Sequence, residues 1–175
     1  MGFRGQNTKL TDNAGNGIDG IGKNNVYGVI QGGYGMRYGD FNVGPYAFYL
    51  LGTTTTTEHA GTFQSQVKWK NQWGIGFQPG YFLSKDTVVY LKVGYNGTTL
   101  EVNQAGGLAP TNSRSTSFGG PGVGLGLKHQ LSTNWVIFVD AQQQYYSTKT
   151  LTSGGYSVQV QPKMTMGTFG FGYQF

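Results

Sequence analysis

Apolar and polar residues alternate with a period of two along most of this chain, the mark of strands with one greasy and one polar face. From Trp73 to Tyr81 the apolar set is Trp73, Ile75, Phe77, Pro79 and Tyr81, interleaved with Gly74, Gly76, Gln78 and Gly80. Val89, Leu91, Val93 and Tyr95 stand against Tyr90, Lys92, Gly94 and Asn96. Pro121, Val123, Leu125, Leu127 and Leu131 stand against Gly120, Gly122, Gly124, Gly126, Lys128 and Gln130, and Trp135, Ile137, Val139 and Ala141 against Asp140, Gln142 and Gln144. Helical periodicity is missing throughout. The pattern predicts eight strands, at about 1–8, 25–37, 42–52, 66–82, 87–100, 116–131, 135–147 and 158–175.

The connections alternate in length. Tight links fall at Tyr38-Gly39-Asp40-Phe41, Ser84-Lys85-Asp86 and Ser132-Thr133-Asn134. Long polar stretches occupy about 8–24, 53–65, 101–116 and 147–156. Three turns and four loops join eight strands in one domain spanning 1–175, and strict short–long alternation is how transmembrane β-barrels are connected.

Composition decides which face meets what. Of 175 residues only 11% are charged, 15% are aromatic and 31 are glycine. A soluble domain carries about 25% charge, and in a soluble barrel the polar face would be rich in Lys, Glu and Asp. Here the polar face is Gly, Gln and isolated charges, which fits the crowded interior of a narrow barrel of about eight strands. The large apolar residues then face lipid. Disorder is excluded by 12 Tyr, 11 Phe and 3 Trp, and no apolar run approaches the roughly 18 residues of a membrane-spanning helix. The fold class predicted is all-β: a transmembrane antiparallel up-and-down β-barrel of eight strands.

The net charge of +5 comes from 12 basic residues spread singly, so no nucleic-acid partner is expected. Scattered cations suit anionic lipid headgroups or lipopolysaccharide. Cysteine is absent, which excludes disulfides and thiolate metal sites. Met1-Gly2-Phe3-Arg4 has no apolar stretch of a secretory leader, so a leader removed before this start is expected for an exported barrel.

The closing residues Thr168-Phe169-Gly170-Phe171-Gly172-Tyr173-Gln174-Phe175 resemble the terminal signal of bacterial outer-membrane proteins, in which alternate aromatics lead to a final Phe. Gly126-Leu127-Lys128-His129-Gln130-Leu131-Ser132-Thr133-Asn134-Trp135 is similar to the penultimate hairpin of the small barrels of the OmpA, OmpX, Ail and Opa type. The resemblance implies a bacterial outer-membrane location. It also implies that Phe169, Phe171, Tyr173 and Phe175 are read by the barrel-assembly machinery. Members of that group serve as structural proteins, adhesins and serum-resistance factors. The role implied is therefore structural or recognitional, with a host or surface protein as ligand of the loops. Two alternatives remain open: a narrow transmembrane pore and a lipid-modifying enzyme.

By parity Lys92, Lys128 and Asp140 fall on the inward face of three consecutive strands, where charge avoids the roughly 2 to 4 kcal/mol cost of facing lipid at mid-membrane. Asp140 is expected to pair with Lys128, and with Lys92, as an interior polar network. Lys68 and Lys70 share the inward parity near the loop end, with Trp69 facing the other way, and are candidates for the barrel rim or for lipopolysaccharide phosphates. Trp69, Trp73, Tyr81, Tyr95, Tyr145 and Tyr146 lie toward strand ends as expected interfacial aromatics.

No cofactor or metal site is expected. Asp12–Gly20 resembles a calcium loop only superficially, because Ala14 occupies a ligand position and Lys23 the terminal Glu position. Gly119–Gly124 has the spacing of a strand, not of a phosphate loop. His59, in a Thr-rich loop, and His129, outward beside a turn, have no partners in sequence that define a catalytic set. In the last strand Phe169, Phe171, Tyr173 and Phe175 share one face, and Val158, Val160, Met164 and Met166 the other. That predicts either a bulge near Gly167 or an upper half that rises out of the membrane.

Overall fold

Every alternating stretch is a strand in the computed structural model, which describes residues 1–11, 17–60, 63–105, 112–153 and 156–173. Eight long strands close into an antiparallel barrel. They are β1 (Gly2–Thr11), β2 (Gly17–Gly33, continuing as Met36–Tyr38) and β3 (Phe41–Val43, Pro45–Leu51 and Thr54–Ala60). Next come β4 (Phe63–Phe77 and Gly80–Ser84), β5 (Thr87–Ala105) and β6 (Asn112–Gln130). The last two are β7 (Trp135–Tyr145 and Lys149–Ser153) and β8 (Tyr156–Tyr173). Each pairs with its sequence neighbours, and β1 pairs with β8 from Gly2↔Thr168 to Thr11↔Gln159, so the wall has no open edge at mid-height.

Most strands run further than the alternation predicts. β2, β4, β5 and β6 carry their ladders into stretches expected to be loops: Phe63–Trp69 pairs with Thr54–Ala60, and Asn112–Thr116 with Leu100–Gln104. Thr54–Thr57 and Ser113–Ser117 within them are polar at both parities, so amphipathic patterning cannot reveal those segments as strand. The tight links sit at the opposite end, and Gly39 in the first has φ of +61°, a turn conformation that glycine adopts without strain.

Nearer the turn end the outer wall is a continuous apolar belt. Phe3, Ile30, Ile75, Phe77, Leu91, Val93, Leu125, Val139, Phe169 and Phe171 all point out and are exposed. Aromatics border it on both sides: Trp73, Tyr95 and Tyr145 toward the loop end, and Phe41, Tyr81, Trp135 and Tyr173 toward the turns. Inside this band the wall of β6 is glycine. A Cβ on Gly126 would strike the Tyr90 ring, and one on Gly122 would strike the Asn96 amide, so these glycines make room for neighbours' side chains.

Toward the loop end the polarity inverts. In β8, Val160, Met164 and Met166 point in and are buried, while Lys163 and Thr165 point out. Inward and outward positions alternate without a break from Gln159 to Tyr173, and neither of its ladders shifts at Gly167. There is no bulge there. The upper half has its apolar side inside and its polar side outside, as a wall bathed in water on its outer face would.

A bulge does occur in β4. The β4–β5 register shifts between Lys70 and Trp73, and Asn71 has φ of +50°, so parity flips across it. Trp69 is therefore inward and buried, at 2% exposure, while Trp73 is outward. Lys68 and Lys70 face outward, a correction to the inward parity expected for them. Tyr146 is likewise buried inside, not placed at an interface.

Candidate functional site

The lumen is where the remaining polar side chains converge. Lys92 on β5 and Asp140 on β7 are not on adjacent strands, for β6 lies between them. Lys92 is level with Gly124 and Asp140 with Gly126. Because neither glycine has a side chain, the two charges reach across β6 and meet, with Lys92 Nζ donating to Asp140 Oδ2 at 2.7 Å. Both are almost fully enclosed, at 2% and 3% exposure.

The pair is held from several sides. Tyr90 Oη donates to the same Asp140 oxygen at 3.2 Å, and Lys92 donates to Gln31 Oε1 at 2.8 Å. The Lys92 ammonium also lies 5.3 Å from the centroid of the Tyr46 ring, within cation–π range. A buried ion pair is tolerable only when such extra contacts replace lost hydration.

Lys128 also points inward, but it is two residues nearer the turns than Gly126 and opposite Phe138. No hydrogen bond or ion pair of Lys128 is present among the described residues, so of the two contacts expected for Asp140 the one with Lys92 is made and the one with Lys128 is not. Lys128 lines a cavity of about 270 Å³ at the turn end, with Gln31, Gln78, Val88, Tyr90 and Phe138.

Above the ion pair the lumen continues in polar side chains. Gln142 donates to Asn96 at 3.3 Å, Arg4 to Gln72, and Tyr27 shares a 2.7 Å hydrogen bond with Thr168. Gln6, Gln72 Nε2 and Asn96 Nδ2 have no further protein partner among the described residues, which suits a hydrated middle.

Higher still comes an apolar cluster that includes Leu50, Trp69, Leu100, Phe118, Tyr146, Val160 and Met164. The Trp69 and Tyr146 rings, contributed by opposite sides of the wall, lie 6.2 Å apart at 58°. Tyr146 Oη donates to Gln144 at 2.6 Å, joining the cluster to the polar storey below. The lumen thus holds an ion pair at one level and packed aromatics at another.

Arg4, Tyr90 and Gln31 belong to this interior and were not singled out from sequence. Arg4 lies between inward Gly2 and Gln6 within the first predicted strand, so parity along that strand places it inward. Tyr90 shares the inward parity of Lys92. Trp69 and Tyr146 were recognised only as interfacial residues, because the flip at Asn71 and the polarity change at the loop end leave no alternation to follow.

On the outer wall Lys70 forms an ion pair with Glu101, and Lys68 stands opposite Glu101 in the ladder. Phe169, Phe171 and Tyr173 face outward at the turn end, and Phe169 and Phe171 meet edge to face at 5.6 Å. Phe175 lies outside the described residues. His129 is exposed, its Nδ1 sharing a 2.9 Å hydrogen bond with Thr87 Oγ1. The His59 side chain lies outside the described ones, as does Asp12–Asn16. Among the described residues no three His, Asp or Glu side chains gather as metal ligands.

A family model described as outer membrane protein beta-barrel domain matches residues 3–175. No curated protein matches the chain in sequence. Among solved structures it is similar to Ail, the attachment invasion locus protein of Yersinia pestis, at 14% identity and a TM-score of 0.47, over 99% of this chain and 95% of that one. It is similar to Neisserial surface protein A at 15% identity and a TM-score of 0.44, over 94% and 93% of the two chains. A third is the N-terminal β-barrel domain of Pseudomonas aeruginosa OprF, at 11% identity and a TM-score of 0.37, over 95% and 99%.

Proposed function

The chain belongs to the outer membrane protein beta-barrel domain family and resides in the bacterial outer membrane, and from that premise we propose that it is a recognition barrel, not a channel or an enzyme. The observation that carries this reading is the division of labour along the barrel axis. The lumen is filled by Lys92–Asp140 and by the Trp69–Tyr146 cluster, while the strands climb past the belt into polar hairpins. A chain that seals its interior and extends its wall has invested in a surface.

The loop end faces outward from the cell and meets a host or surface protein, serving adhesion, host interaction or envelope integrity. Lys68 and Lys70, outside the wall above the belt, contact lipopolysaccharide phosphates, with Glu101 holding Lys70 in place. The outward aromatics Phe169, Phe171 and Tyr173, followed by Phe175, are the segment that the barrel-assembly machinery reads.

The reading is tested by comparing bacteria that display the intact chain with bacteria displaying a version trimmed to short turns at residues 54–66, 102–114 and 149–158. Surface level and heat-modifiable mobility confirm that both insert. Adherence to host cells or matrix protein is expected to fall to background on trimming. Equal adherence by the two strains would remove the recognition role.

A further inference from the structure

The cavity at the turn end holds a charge that the ion pair above it does not use. Lys128 of β6 stands in the ladders between Val88 of β5 and Phe138 of β7, and all three line the cavity. The Lys128 ammonium has no hydrogen bond or ion pair among the described residues, and no acidic residue lines the cavity among them. Asp140, in the storey above, is already matched by Lys92 at 2.7 Å. A cation drawn into the lumen without a counter-charge is costly, and an anion entering beside it relieves that cost.

A second donor faces the same space. Gln78 of β4 lines the cavity, and its backbone N–H donates to the Gly44 carbonyl at 2.8 Å, which fixes the residue in the wall. Its side-chain Nε2 is buried and has no hydrogen-bond partner among the described residues, an arrangement that folded proteins rarely leave unanswered. Gln31, across the lumen, differs: its Oε1 accepts from Lys92 at 2.8 Å.

The rest of the lining says what kind of anion fits. Val29, Val88, Val136 and Phe138 give the cavity an apolar wall beside its two donors. Its volume of about 270 Å³ lies at the lower end of small-molecule pockets, which run from roughly 300 to 1,000 Å³. Inorganic phosphate is strongly hydrated and gains nothing from an apolar wall. A carboxylate carried on a short hydrocarbon body matches both parts of the lining.

We propose that the turn-end cavity binds a small organic carboxylate, with its anionic head on Lys128 and Gln78 Nε2 and its body against Val29, Val88, Val136 and Phe138. The site goes beyond the recognition role of the loop end and does not depend on it, because the ion pair and the aromatic cluster lie between the two.

The test uses the full chain in phosphatidylcholine nanodiscs, isotope-labelled at glycine nitrogen and followed by NMR. Gly33, Gly35, Gly170 and Gly172 line the cavity and report on it. Gly119 and Gly120, toward the loop end of β6, report partitioning into lipid. The barrel is titrated with hexanoate, hexanol and inorganic phosphate. Hexanoate is expected to shift the cavity glycines and to bind at least about tenfold tighter than the other two. Lys128→Met should weaken hexanoate at least about tenfold and Gln78→Leu about fivefold, whereas Lys128→Arg, which keeps the charge, should still bind it. Heat-modifiable mobility shows which variants fold, and Lys128→Gln replaces the Met variant if that one does not. Hexanol or phosphate binding as tightly as hexanoate overturns the proposal. So does undiminished binding by a folded barrel without the Lys128 charge, or a shift of Gly119 and Gly120 as large as that of the cavity glycines. Adherence is read separately on whole bacteria, so failure of this site and failure of the recognition role stay distinguishable.

Discussion

The two halves of this barrel obey the same alternation with opposite polarity. Near the turns β8 sends Phe169, Phe171 and Tyr173 outward and Gly170 and Gly172 inward; nearer the loops the same strand sends Lys163 and Thr165 outward and Met164 and Met166 inward. Strand geometry is unchanged between them. What changes is the solvent on the outer face, lipid below and water above, and with it the kind of interior the wall must enclose. The lower interior is polar and held by an ion pair; the upper interior is packed like a soluble core.

If that contrast is right, the two interiors should fail differently. The largest effect is expected from Asp140→Ala, which strands the Lys92 ammonium in an enclosed site and should cost about 3 to 5 kcal/mol. The double variant Lys92→Met, Asp140→Leu removes both charges and should recover most of that loss, whereas additive losses would show that the pair is not a unit. Urea unfolding in detergent, followed by tryptophan fluorescence and gel mobility, measures both.

Trp69 and Trp73 form the sharpest test of the inversion, since they are four residues apart and face opposite ways. Trp69→Ala empties part of the upper core and should cost about 3 to 5 kcal/mol. Trp73→Ala removes an outward interfacial ring and should stay within about 1.5 kcal/mol. Equal losses would erase the distinction between the halves.

Glycines give a smaller contrast. Gly126→Ala drives a methyl into the Tyr90 ring, which is fixed by its bond to Asp140, and should cost about 1 to 3 kcal/mol. Gly167→Ala, whose added carbon would have nothing closer than the Phe3 carbonyl at 4.0 Å, should be neutral within about 0.5 kcal/mol. A loss of about 1 kcal/mol, between those two, is expected from Asn71→Ala, because alanine tolerates the left-handed bulge less well than asparagine.

These contrasts also explain what could be read from the sequence. The lower storey was legible because its alternation sets large apolar against glycine and glutamine, as in Trp73–Tyr81 and Val123–Leu127. From that parity came the inward placement of Lys92 and Asp140. Their partnership was only half legible: parity fixes the face of a side chain but not its height, so Lys128 and Lys92 were equivalent candidates until register separated them. Lys68 and Lys70 were misplaced because one residue, Asn71, shifts the phase, and a single bulge leaves no compositional mark. The upper strands were read as loops because Thr54–Thr57 and Ser113–Ser117 are polar at both parities, and only the ladder reveals them as strands.

A sealed lumen is what most separates a recognition barrel from a pore. Purified barrel reconstituted in planar bilayers tests this directly. We predict no stable unitary conductance from the parent chain, even at voltages that keep open porins conducting. A stable open channel in the parent chain would contradict the sealed lumen and return the molecule to the class of narrow pores.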